Sequence, residues 1–379
     1  MPSSRMDTQR KLEILAQDAQ YDLACACGTG NDDRRRRGVG GRWLYPVTLP
    51  SGGHSLLLKT LVSNACTNDC KYCPLRRGSN VARCSMTSDE IANIFLEYRR
   101  TENVFGLFLT SGVTGTPDQS MERLLDATKL LRKKHRFRGY IHLKILPGAS
   151  DAAVEEAVRY ASAVSLNIET PGKGHFQLLS ASKDYDRDII RPLMLMSRLT
   201  ARGQPRARVK CTTQFVVGAS DESDGEIVKY MTGLYDRLHF DRIYFSAYQP
   251  GLGDPSIPGE QALRQQPADA LIRREHRLYQ TDFLMRKYGF AGSELVLDAT
   301  GNLPLDRDPK EAWALAHPEV FPVNAYTAER EKLLRVPGLG LLGVQRLMAA
   351  RQHRRLHSLA DAGLRGRLAA KAAPYLVWS

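Results

Sequence analysis

Six short apolar runs alternate with amphipathic stretches through the middle of this chain, and that alternation constrains the fold more than any other feature. The runs lie at 54–62, 104–110, 139–146, 163–168, 209–217 and 242–248. After the first, Thr87-Ser88-Asp89-Glu90 reads as a capping box, and Ile91, Ile94, Phe95 and Tyr98 follow at helical spacing. Further helices are predicted near 118–134, 151–162, 186–202 and 222–238. In the last of these, Ile227, Met231, Leu234, Tyr235 and Leu238 form one apolar face. Regular alternation of strand and helix predicts βαβ units and a parallel sheet. Six units can wrap into a partial barrel, in which chemistry sits at the C-terminal ends of the strands.

Composition is that of a globular protein. Of 379 residues, 42% are apolar and 25% charged, which excludes a disordered or collagen-like chain. Apolar runs such as Leu107-Phe108-Leu109 are too short to span a bilayer. The opening residues, MPSSRMDTQRKLEILAQDAQ, are charged where a signal peptide needs an apolar core, so the expected location is the cytoplasm, with no membrane partner. Net charge is +13, and 329–379 carry ten bases against three acids, about half of that excess. Such a balance favours a polyanionic partner. A solvated basic face accounts for it equally well until a motif is found nearby.

Seven cysteines occur, at 25, 27, 66, 70, 73, 84 and 211, an odd count that argues against a disulfide framework. Cys66-Thr67-Asn68-Asp69-Cys70-Lys71-Tyr72-Cys73 is a C-x3-C-x2-C run, directly after the first predicted strand. Chance gives roughly 0.002 such patterns in a chain of this composition. Three thiolates in eight residues imply a metal site with one position left over. A structural zinc would need Cys84 or a histidine to close it. An iron–sulfur cube would keep one iron open for another ligand.

The spacing, with an aromatic residue just before the last cysteine, resembles the signature of the radical S-adenosylmethionine superfamily. That resemblance implies a [4Fe-4S] cluster on Cys66, Cys70 and Cys73, with S-adenosylmethionine on the fourth iron, in a partial (βα)6 barrel. Among residues that would contact the cofactor it points to Tyr72. It also points to Ser111 and Gly112 in Thr110-Ser111-Gly112-Val113, where the family has a Gly-Gly-Glu turn and this chain lacks the acid. Asn167 and Glu169 after the fourth predicted strand are candidates for the ribose. Val216, Val217 and Gly218, closing the fifth, are candidates for the adenine. Ordinary strand core is an equal reading for the two valines, and a helix N-terminal acid is the lesser alternative for Glu169.

Other positions follow from pattern alone. His142 and Lys144 share one face of the third predicted strand, so Lys144 is a candidate for an anionic group on the substrate. Tyr248 and Gln249 end the sixth. Cys25 and Cys27 precede a glycine-rich loop at 28–41 that carries Arg34 to Arg37. A thiol there, Cys25 first, is a candidate hydrogen-atom donor, although buried inert cysteine is the commoner fate, especially for Cys211.

Toward the C-terminus the rhythm changes. Residues 293–328 contain Pro304, Pro309, Pro318 and Pro322 and read as a connector with one short helix at 308–316. A helix ending at Val336, the turn Pro337-Gly338-Leu339-Gly340 and a second helix follow, with Leu334, Val336, Leu339, Val344 and Leu347 placed to lock the pair. This resembles the helix-hairpin-helix DNA-binding motif, in which glycines let backbone approach phosphate. Gly338, Gly340, Arg335, Arg346 and Arg351 are its candidate DNA contacts, positioning contacts without a base-reading code.

Taken together, 12–364 are similar to the radical S-adenosylmethionine proteins of DNA modification or repair that end in a helix-hairpin-helix. The expected domains are an N-terminal helix and basic loop (1–53), the barrel (54–289), the connector (290–328) and an all-α hairpin module (329–379). The implied function is radical chemistry on DNA, with an electron donor such as flavodoxin or ferredoxin. Two alternatives stand beside it: the same chemistry on RNA or protein, and a DNA-bound iron–sulfur redox sensor without turnover.

Overall fold

In the computed structural model, 7–19, 44–48, 53–262, 267 and 269–378 are described. They divide into two compact units, 1–222 with 233–271 and 223–232 with 272–379.

The first unit is built on one seven-stranded sheet, ordered β1 to β7 in sequence. The strands are β1 (Leu44–Thr48), β2 (His54–Leu61), β3 (Val104–Thr110), β4 (Tyr140–Lys144), β5 (Ala163–Ser165), β6 (Lys210–Val217) and β7 (Arg242–Ala247). β2 to β7 pair in parallel, each with the next. They match the six predicted strands, although β5 stops after three residues. β1 was not expected. It pairs antiparallel with β2, Leu44 opposite Leu58, and its Pro46 is tolerated because an edge strand has one side without a ladder.

The crossovers are the helices α2 (Ser88–Thr101), α3 (Pro117–Lys129), α4 (Asp151–Tyr160), α5 (Lys173–Leu179), α6 (Arg191–Thr200) and α7 (Asp224–Thr232), with α1 (Thr8–Asp18) ahead of the sheet. By the contact grouping, α7 belongs to the second unit. Three of the helical stretches contain π-helical turns, at Leu130–Lys134, Tyr185–Ile190 and Gly233–Arg237. Each falls within a stretch predicted as continuous helix.

Side chains alternate across each strand, and the alternation separates two chemistries. One face is apolar and buried, with Leu107, Leu109, Ile141, Leu143, Val164, Phe215, Ile243 and Phe245. The other brings Phe108, His142, Ser165, Gln214 and Tyr244, from five successive strands, around one small cavity. Strands spaced about 4.8 Å apart can do that only if the sheet curls, so the architecture is a half-barrel with a polar inner face.

In the second unit, α9 (Ala270–Tyr288), α10 (Pro309–Ala316), α11 (Arg330–Arg335), α12 (Leu341–His353) and α13 (Arg367–Ala372) follow the five-residue α8 (Pro258–Ala262) of the first. The expected short helix in the connector is α10, with Asp308 accepting from the Glu311 N–H at 2.9 Å. The C-terminal region is helical but for one two-residue parallel pair, Val323–Asn324 with Leu376–Val377. Leu334, Val336, Leu339, Val344 and Leu347 are all buried in one cluster, as the hairpin pattern predicts. No helix among the described residues is long and apolar enough to cross a membrane.

The capping box at α2 does more than close a helix. Glu90 accepts from the Thr87 N–H at 2.7 Å, and also from Lys11 at 2.7 Å and Thr8 at 3.0 Å, both on α1. Burial opposes its charge, but these donors, Lys11 first, hold the carboxyl down at about 2 against its usual 4.5. A lowered folded pKa stabilises above the unfolded value and is lost as pH falls through the folded one. Glu90→Gln is therefore expected to cost about 1–2 kcal/mol at neutral pH and to flatten the fall in stability between pH 4.5 and 2, read from urea unfolding across that range.

Candidate metal centre

The cysteine loop starts five residues beyond β2, at the C-terminal end of the sheet, and three segments clamp it. From the turn after β3, Val113 O accepts the Thr67 N–H at 2.8 Å, and the Gly112 N–H donates to Ser63 O at 2.7 Å. Gly112 has to be glycine because a Cβ there would stand 2.3 Å from Ala65 O and 3.2 Å from Cys66 Cβ. From the end of α5, Leu179 O accepts the Lys71 N–H at 2.8 Å.

The third clamp is formed by two arginines. Arg83 donates to Asn64 O, to Leu75 O at 2.9 Å and to Arg76 O at 3.0 Å. Arg76 ties Cys73 O at 3.1 Å to Leu252 O at 3.0 Å.

Asp69, between the first two cysteines, is the hub of the second clamp. Its carboxylate accepts from the hydroxyls of Ser180 and Ser182, both at 2.6 Å, and from the N–H groups of Ala181 at 3.0 Å and Ser182 at 3.1 Å. Despite some burial, these donors hold its carboxyl far below the usual range. A carboxylate with this many donors behaves as a fixed structural anion.

The three thiols share one environment. Burial raises the Cys70 thiol, and burial followed by the nearby Cys70 pushes Cys73 up to about 12. Cys66 adds to both shifts. Thiols that resist ionisation when buried together are ones that a bound cation would deprotonate. Among the described residues, no three Cys, His, Asp or Glu side chains stand at the spacing of a single ion. Cys84 offers no fourth ligand, since its charged neighbours are Asp18, Lys11 and Glu90. Three thiols with no fourth donor at Cys84 leave a position open, which a cluster with several metal corners tolerates and a closed tetrahedral zinc does not.

Two polar side chains stand beside the trio. Lys183 is 9% exposed and hydrogen-bonded to Cys70, with its ammonium 5.1 Å from the Phe176 ring and 5.9 Å from the Tyr72 ring. Burial opposes that charge, but Cys70 and Glu169 outweigh it and hold the ammonium protonated. Glu169 is 5% exposed, accepts from Asn167 at 3.3 Å and is hydrogen-bonded to Tyr72. Its φ of +67° is unusual for a residue other than glycine, and a bridge to Phe215 of β6 holds it there. Burial, then Glu169, drives the Tyr72 phenol well above its ordinary value. No motif pointed to Lys183, which sits in a loop 110 residues beyond Cys73.

The other expected positions divide. His142 and Lys144 do share the cavity face of β4, with His142 Nε2 2.8 Å from Ser165 Oγ. Asn167 lines the same cavity. Ser111 donates to Gly112 O at 2.7 Å. Val217 is fully buried on the apolar face with Phe215, the strand-core alternative, and strand alternation puts Val216 on the polar side. Gly218 has φ +81°, and its N–H donates to Glu222 at 2.6 Å. Tyr248 is buried with its hydroxyl on Glu260. Cys211 is buried on the apolar side of β6. Cys25, Cys27 and Arg34 to Arg37 lie outside the described residues.

At the hairpin, two expected DNA contacts are engaged in internal structure. Arg335 pairs with Glu294 at 2.7 Å between the rings of Phe290 and Trp313, 4.4 and 4.6 Å away. Arg351 donates to Ala325 O at 3.0 Å and Ala328 O at 2.8 Å. Gly338 has φ +84°, and a Cβ there would stand 2.3 Å from Leu368 O. Gly340 caps α12, and Arg346 is exposed.

No protein-family model and no curated protein sequence matches the chain. Among solved structures it is similar to HydG, a maturase of the [FeFe]-hydrogenase, at 16% identity and TM-score 0.45, covering 60% of this chain and 49% of that one. It is similar to methylornithine synthase (PylB) at 15% identity and TM-score 0.42, covering 54% and 56%. Streptococcus suis SuiB bound to S-adenosylmethionine aligns at 16% identity and TM-score 0.42, covering 62% and 45%. The chain thus spans about half the length of the structures it matches.

Asp69→Ala removes the acceptor for four donors on the 180–182 segment. It is expected to destabilise the protein by about 2–3 kcal/mol in urea unfolding and to speed amide exchange at 66–73 and 180–183. Unchanged exchange in both segments would remove Asp69 from the clamp.

Proposed function

We propose that this chain is a radical S-adenosylmethionine enzyme acting on DNA. The observation that carries the reading is three thiols, Cys70 buried and Cys66 and Cys73 half-buried, on one eight-residue loop at the C-terminal end of a parallel half-barrel with a polar inner face. When bound, a [4Fe-4S] cluster and S-adenosylmethionine supply reductive cleavage to a 5′-deoxyadenosyl radical, which takes hydrogen from an unactivated C–H bond.

The chain's own residues hold, orient and shield. Cys66, Cys70 and Cys73 would hold three irons and leave the fourth corner for the cofactor. Lys183, already against Cys70, offsets the negative charge that three thiolates bring into a buried site. Glu169 and Asn167 offer a carboxylate and an amide to the polar groups of the cofactor, with Tyr72 fixing the carboxylate. Around the inner cavity, His142, Ser165 and Gln214 can orient a polar substrate by hydrogen bonding. Apolar packing on the opposite face of the sheet keeps water from that side.

The DNA part rests on charge and on the hairpin. A net +13, the turn at Gly338 to Gly340 and the exposed Arg346 suit contact with a phosphodiester backbone. A base within a duplex would have to be flipped, or already unpaired, to reach the half-barrel.

The test is anaerobic reconstitution with iron and sulfide, followed by S-adenosylmethionine and a strong reductant, with 5′-deoxyadenosine as the readout. Cys66→Ala, Cys70→Ala and Cys73→Ala are each expected to abolish product, whereas Cys84→Ala keeps it. Lys183→Met is expected to lower the rate about 10–100-fold with the iron content retained. DNA is expected to raise the yield, and Arg346→Glu to weaken DNA binding about tenfold at low salt. No product from fully loaded protein with DNA present would overturn the enzyme reading. Stimulation by RNA alone would overturn the substrate.

A further inference from the structure

A cluster of basic side chains in the first unit lies at the other end of its sheet. The segments that lead into β4, β5 and β6 meet around a concavity of about 860 Å³, lined by Arg132, Lys133, Arg136, Arg138, Arg159 and Arg206. Arg136 and Arg138 precede β4, Arg159 precedes β5 and Arg206 precedes β6, so all enter at the N-terminal ends of the strands. The cysteine loop follows the C-terminal end of β2. No acidic residue lines the concavity.

Several other exposed arginines are already paired. Arg187, Arg191 and Arg307 each hold a carboxylate, Asp188 at 2.7 Å, Asp151 at 2.9 Å and Asp306 at 2.6 Å. Among the described residues, none of Lys133, Arg136, Arg138, Arg159 and Arg206 has a carboxylate partner, and all five are exposed. Bringing five such charges around one hollow costs repulsion unless an anion joins them.

The rim is also preorganised. Arg132 donates to Phe137 O at 2.9 Å, Gly139 O at 2.7 Å, Tyr160 O at 2.9 Å and Ser162 Oγ at 3.2 Å, which locks the 137–139 turn to the end of α4. Lys133 lies 5.5 Å from the Tyr160 ring. Arg136 is held at φ +51°, a strained conformation for arginine that sits within the cluster.

We infer that this concavity is a second nucleic-acid site, one that grips the phosphodiester backbone through Lys133, Arg136, Arg138, Arg159 and Arg206. Guanidinium forks match phosphate oxygens bidentately, and five cations exceed what one phosphate needs, so the ligand presents several phosphates in a row. A protein electron donor is a poor occupant, because it would have to approach the cysteine loop at the opposite end of the strands. The inference does not depend on the chemistry proposed above, since binding is measured without turnover.

The test uses the full chain and fluorescein-labelled 30-nucleotide single strands and 30-base-pair duplexes, with anisotropy recorded over a range of salt. Replacing Arg136, Arg138, Arg159 and Arg206 together by Gln is expected to weaken binding at least tenfold and to reduce the slope of log affinity against log salt by roughly 3. The same four positions changed to Lys keep charge and are expected to bind within about threefold of the parent. Arg132 is left intact because it holds the rim. Thermal melting checks the fold, and Arg138→Gln with Arg206→Gln serves as a milder set, with an expected slope change of about 2. Unchanged affinity and slope in both Gln sets would overturn the inference. If Arg346→Glu alone then abolished binding, the hairpin would carry all of it and the proposed substrate would stand.

Discussion

Two loops meet at Gly112 closely enough that a single methyl group would drive them apart, and the site depends on that approach. A Cβ at Gly112 would collide with Ala65 O, the residue just before Cys66. Because it is absent, the turn after β3 presses on the cysteine loop and Val113 O takes the Thr67 N–H. Asp69 completes the arrangement from the other side through the 180–182 segment. The loop is therefore fixed by backbone geometry and one structural anion, which leaves its three thiols to face a common space.

Much of this was legible because it is periodic or clustered. The six parallel strands were readable since each is an apolar run bounded by turns, and the capping box at Thr87 announced α2. The hairpin was visible in its Pro-Gly-Leu-Gly turn and in the spacing of Leu334, Val336, Leu339, Val344 and Leu347. What escaped has physical reasons too. β1 carries Pro46, which argues against a strand unless its edge position is known. α5 is short, and two glycines, Gly172 and Gly174, stand at its start. Val216 and Val217 could not be told apart because sequence alone does not say which face of a strand a residue takes. Lys183 has no local signature, because its significance lies in what it touches across the fold.

The arginines show the same limit from another direction. Counting charge along the chain pointed to the C-terminal 51 residues, where Arg335 and Arg351 prove to be internal pins. The hollow at the feet of β4 to β6 draws its charge from segments that lie up to about 70 residues apart, so no window of sequence reveals it. Whether an arginine is available to a partner depends on whether a carboxylate or carbonyl already occupies it, and that is decided by the fold.

The clamp on the cysteine loop has one more consequence. Its hydrogen bonds run from the chain to the chain, through Asp69, Arg76, Arg83 and the turn at Gly112, and none of them passes through a thiol sulfur. Small metal domains that collapse when stripped of zinc use the ion as their core. Here the bonds that place the loop are separate from the sulfur atoms it presents, so the position of the loop and the chemistry of its thiols can be altered independently of one another.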